Sequence, residues 1–82
     1  MNKAEMNKKM TGRAARLIAR LTRDEGWQLS PDTTQARLAD RLVGAAVLRY
    51  GDGIYTAAPY RRNAMVDQMV YEAMYEAEEA GA

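Results

Sequence analysis

The sequence predicts a small, mainly α-helical single domain carrying one β-hairpin, in the order α-α-β-β-α. Three observations predict it. Apolar residues recur at spacings of three and four in three long stretches, as expected of helices with one buried face. Two short runs of strand-forming residues flank Gly51-Asp52-Gly53, the pattern of a tight hairpin. At 82 residues, 48% of them hydrophobic and 28% charged, the chain has material for one folded domain with a thin core.

The first helix is expected over residues 3–24, where Met6, Met10, Ala14, Leu17, Ile18 and Leu21 line one face. Gly12 costs up to ~1 kcal/mol relative to Ala inside a helix. A start at Thr11 is therefore the alternative, with residues 1–10 as a looser arm and 11–79 as the domain. Gly26 closes the helix as a C-terminal cap. Trp27 and Leu29 then anchor a short connection to the core, packing being favoured over a binding role for the one large ring.

Ser30-Pro31-Asp32 has the chemistry of a helix start, with Thr33 or Thr34 as the competing cap. The second helix buries Leu38, Ala39, Leu42, Val43 and Ala46, and Gly44 is expected to end it near Ala45 or Ala46. The hairpin follows at about 47–57. Val47-Leu48-Arg49-Tyr50 pairs with Ile54-Tyr55-Thr56 across a type I′ turn at Asp52-Gly53, setting Tyr50 opposite Tyr55 and Arg49 opposite Thr56. The last helix runs from about Tyr60 to Glu79 on an apolar face that includes Met65, Val66, Met69, Val70 and Met74. Residues 80–82 are expected to be loose.

Cysteine and histidine are both absent, which excludes disulfides, thiol chemistry, the Ser-His-Asp arrangement and ordinary zinc sites. Gly51-Asp52-Gly53 lacks the lysine and following helix of a phosphate loop, and so short a chain has little with which to wall a catalytic cleft. A non-enzyme without cofactor, metal or small-molecule substrate is the expectation. No apolar stretch approaches the ~20 residues of a membrane span, and the start lacks a signal-peptide core, so the reading is cytoplasmic with no membrane partner.

The net charge of +1 conceals a gradient. Residues 1–25 set three Lys and four Arg against Glu5, Asp24 and Glu25 for +4, and residues 26–64 carry +2. Residues 65–82 hold five carboxylates and no base, for −5. Such a bipolar field points to charged partners. Lys9, Arg13, Arg16, Arg20 and Arg23 step by 4, 3, 4 and 3 along the first helix, a cationic row beside its apolar face. Like charges one turn apart weaken an isolated helix, so the row reads either as an anion-binding surface or as ordinary solvated arginine. Arg49, Arg61 and Arg62, with Tyr50, Tyr55 and Tyr60, suggest a basic and aromatic patch around the hairpin. Arginine outnumbers lysine nine to three, and its rigid fork suits phosphate and guanine.

Thr34-Gln35-Ala36-Arg37-Leu38-Ala39-Asp40-Arg41-Leu42 resembles the Thr-Gln-x-x-Leu-Ala-x-x-Leu run common in helix-turn-helix proteins. Residues 42–56 resemble the helix end, strand, wing and strand of winged-helix DNA-binding domains. The likeness is abbreviated and partial, covering about residues 13–60. It implies a helix inserted into the major groove of duplex DNA, with Gln35, Arg37 and Arg41 on that helix. Arg49 and Asp52 would stand at the wing.

Two functions follow as expectations. One is a small winged-helix DNA-binding regulator, gripping DNA through Lys9, Arg13, Arg16, Arg20, Arg23, Gln35, Arg37, Arg41, Arg49, Arg61 and Arg62. Met65 and Met69 of its last helix would form a homodimer, although core filling is the other use of such methionines. The other is a phage-type inhibitor or adaptor, anti-CRISPR-like, binding a host protein complex through either charged pole. Its acidic surface would be Tyr71, Glu72, Tyr75, Glu76 and Glu79 beside Glu78, imitating nucleic acid toward a basic groove.

Overall fold

A computed structural model describes residues 1–81 and, among them, contains helices and no strand. Helix α1 spans Lys3–Asp24, α2 Gln35–Tyr50, the one-turn α3 Gly53–Thr56, and α4 Pro59–Gly81. The three long helices form an up-down-up bundle with α3 as a step between α2 and α4. Residues near the start of α1 meet the start of α4, where Met6, Lys9 and Met10 face Pro59, Arg62 and Asn63. Trp27 and Leu29, just past the end of α1, meet Ala73 and Ala77 near the end of α4. Helices α1 and α4 therefore run parallel, and α2 runs against both.

Helix α1 takes the longer of the two extents its apolar spacing allows. Asn2 caps it, the Glu5 N–H donating to Asn2 Oδ1 at 2.9 Å. Gly26 ends it at φ 70°, in the left-handed region that glycine enters without strain. Trp27 is buried in the core. The cap of α2 is Thr34, whose hydroxyl accepts from the Arg37 N–H at 3.1 Å, and Ser30 to Thr33 form the preceding turn.

The β-hairpin at 47–57 does not form, and the winged-helix likeness falls with it. Val47-Leu48-Arg49-Tyr50 continues α2, while Ile54-Tyr55-Thr56 coils into α3, so the cross-strand pairs Tyr50–Tyr55 and Arg49–Thr56 do not exist. Packing explains the outcome. The helical period of Ala39, Val43 and Ala46 extends through Val47 and Tyr50, which pack partly buried on the core. Gly51 then breaks α2 at φ 64° and ψ −156°, turning the chain so that Ile54 is fully buried. A lone two-stranded ribbon is marginal in water, whereas the helices bury Ile54 fully and Val47 and Tyr50 in part, leaving Leu48 exposed. Gly44 sits exposed inside α2 and does not end it.

The core draws on all four helices, centred on Ile18, Ile54, Val66 and Val70. No polar side chain among the described residues is buried, so the interior is held by apolar packing.

Candidate nucleic-acid interface

The apolar face of α1 turns inward against α2 and α4, which leaves its cationic row on the outer surface. Lys9, Arg16, Arg20 and Arg23 are exposed and Arg13 is half-buried. Arg13 is committed to the fold. Its Nε and its terminal nitrogen donate to the two carboxylate oxygens of Asp67 on α4, each at 2.8 Å. The hydrogen bond to Asp67 raises the Arg13 pKa above its ordinary value. Arg23 pairs with its neighbour Asp24 at 2.9 Å, which holds the Asp24 carboxyl below its usual range. Lys9, Arg16 and Arg20 make no ion pair among the described residues.

Two adjoining clefts follow this row. One, of ≈ 690 Å³, is lined by Glu5, Lys8, Lys9, Gly12, Arg13, Arg16 and Asn63. The next, of ≈ 440 Å³, is lined by Arg13, Arg16, Arg20, Arg23 and Asp67. Lys8, Asn63 and Asp67 are members that sequence reasoning missed. Lys8 stood beside Lys9 in plain view, whereas Asn63 and Asp67 belong to α4 and reach the row only through the helix pairing.

The remaining expected cations do not converge on this surface. Arg37 and Arg41 are exposed on α2, where Arg41 lines a different cleft with Trp27, Leu38, Leu42 and Glu76. Gln35 reaches back to the Thr22 hydroxyl at 3.4 Å. Arg49 pairs with Glu72 of α4 at 2.6 Å. Arg62 donates to the carbonyls of Ile54, Tyr55 and Ala57 at 2.8, 3.1 and 2.9 Å, fastening the end of α3 to α4. Arg61 is exposed on the first turn of α4. Asp52 pairs with Lys3 at 3.0 Å and stands at no wing tip.

On α4, Met69 is buried and Met65 packs against the core, so that face is covered by the chain's own helices. Tyr71 and Tyr75 stack on the outer side, ring centroids 6.4 Å apart at an interplanar angle of 25°. Glu76 and Glu79 are exposed, as is Glu78. The described residues contain no group of three or more acidic side chains arranged to hold a metal ion. No described helix is long and apolar enough to cross a membrane. Compared with known proteins, the chain matches no family model, no curated protein and no solved structure.

Proposed function

We propose that the chain is a small non-enzymatic nucleic-acid-binding protein that grips phosphates with the outer face of α1. One observation carries this reading. Lys9, Arg16 and Arg20 stand exposed along one face, with the turn between Lys9 and Arg16 held by the paired Arg13; they line adjoining clefts and have no ion-pair partner among the described residues. Their mutual repulsion opposes folding, and a polyanion relieves it by neutralising several charges at once. The described residues form no hairpin wing, and the exposed cations of α1 are placed for phosphates. Phosphate contact alone gives affinity without sequence information, so binding is sequence-tolerant. The double charge reversal Arg16→Glu/Arg20→Glu tests this: oligonucleotide affinity falls at least tenfold while the helical circular dichroism spectrum is kept. Unchanged affinity contradicts the proposal.

A second reading is favoured by the parallel course of α1 and α4. That course brings exposed Glu25 to the same end of the bundle as Glu76, Glu78 and Glu79, forming an acidic pole suited to a basic protein surface. An inhibitor or adaptor would use this pole, and it would lose its partner on Glu76→Lys/Glu79→Lys but not on Arg16→Glu/Arg20→Glu.

A further inference from the structure

We infer that the α1 surface takes single-stranded rather than duplex nucleic acid, its phosphates on Arg16 and Arg20 and a base stacked on Tyr75, which Tyr71 backs. The inference rests on the nucleic-acid reading above and adds the class of strand.

The cationic cleft and an aromatic cleft share a wall. Asp67 lines the cleft of Arg16 and Arg20 on its α1 side. On its other side it lines a cleft of ≈ 420 Å³ with Ala64, Gln68, Tyr71, Glu72 and Tyr75. The parallel helices keep the two rows in step. One turn beyond the Arg13–Asp67 bridge the chain reaches Arg16 and Leu17 on α1 and Tyr71 on α4. Two turns beyond, it reaches Arg20 and Tyr75. Packed helices lie ~8–10 Å apart, so cations and rings run as two tracks about one helix spacing apart.

The rings are accessible. Tyr75 is 54% exposed. Tyr71 packs partly on the core and stacks against Tyr75, so Tyr75 presents the open ring face and Tyr71 backs it. The two carboxylates that line the cleft of the rings are already paired, Asp67 with Arg13 and Glu72 with Arg49. A strand reaches Tyr75 past these paired carboxylates, and exposed Glu76, Glu78 and Glu79 bound the track at the acidic pole.

A duplex cannot use this platform, because its bases already stack on one another inside the helix. A single strand presents free base faces, and alternating basic and aromatic contacts are how sequence-tolerant single-strand binders hold it.

The test is fluorescence anisotropy with a labelled oligothymidylate and a labelled duplex of equal length, at fixed ionic strength. The single strand is expected to bind more tightly than the duplex. Tyr75→Ala is expected to weaken single-strand binding about tenfold and leave duplex binding unchanged, while Tyr75→Phe, which keeps the ring, retains affinity. Tyr75 is exposed, so its truncation leaves the fold intact. If the duplex binds as well as the single strand, or Tyr75→Ala has no effect, the inference is overturned and the phosphate-gripping face stands. If neither oligonucleotide binds, both fail.

Discussion

Arg13 and Asp67 join α1 to α4 through two parallel hydrogen bonds of 2.8 Å each. This bridge removes one member of the cationic row from service and aligns the others with α4. A double-mutant cycle with Arg13→Gln and Asp67→Asn is expected to return a coupling of about 1 kcal/mol. That exceeds most exposed pairs because the geometry is bidentate, yet solvent still screens both partners. Chemical denaturation of the four proteins measures it. A coupling indistinguishable from zero would mean the bridge does not hold the helices.

Gly44 and Gly51 are expected to respond to alanine with opposite signs. Gly44 lies exposed inside α2, and an added methyl group would meet no atom within 4 Å, so Gly44→Ala adds about 0.5–1 kcal/mol of stability. Gly51 has a positive φ of 64°, which an L side chain resists, so Gly51→Ala costs about 1–3 kcal/mol. Thermal melts of the two variants give the comparison, and equal shifts would refute the backbone argument.

Arg62 is expected to act on stability and not on ligand. It satisfies three carbonyls at the end of α3, so Arg62→Met strips their charged donor and destabilises the protein by roughly 1–3 kcal/mol. Amide exchange should accelerate over 53–57 first. An oligonucleotide affinity that fell as far as it does for Arg16→Glu/Arg20→Glu would return Arg62 to the binding surface.

Stability is expected to weaken at both extremes of pH. Asp24 is held below its ordinary pKa by the hydrogen bond from Arg23, and Asp32 by that from Ser30. Their contribution is complete above the unfolded carboxylate range and is lost as pH falls through the folded values, below about pH 4. Lys3 is raised, first by its hydrogen bond to Asp52. Its contribution is present below the unfolded lysine value and is lost as pH rises through the folded one, above about pH 10. Denaturation midpoints from about pH 2 to 11 should trace a plateau with two shoulders, and Lys3→Met should remove the alkaline one.

The long helices were legible in the sequence because each carries its own apolar period, from Met10 to Leu21 on α1 and from Val66 to Met74 on α4. Gly26 and the competing Thr34 cap were equally local signals. The hairpin misled because Val47, Tyr50 and Ile54 have strand propensity, whereas their fate depended on a core shared with α1 and α4. Gly51-Asp52-Gly53 does turn the chain, but it joins a helix to a helix. The cationic row was visible on one helix. Its division into the paired Arg13 and the unpaired Arg16 and Arg20 was not, because Asp67 lies 54 residues away from Arg13. Separation along the chain likewise hid the work of Arg49, whose partner Glu72 is 23 residues on.

The grip of α1 on phosphate is read out by the salt dependence of oligothymidylate binding. If Lys9, Arg16 and Arg20 grip phosphates, the logarithm of the binding constant falls linearly with the logarithm of salt, at about −0.7 per phosphate neutralised and so roughly −2 in all. A flat dependence, or no binding at low salt, would contradict it.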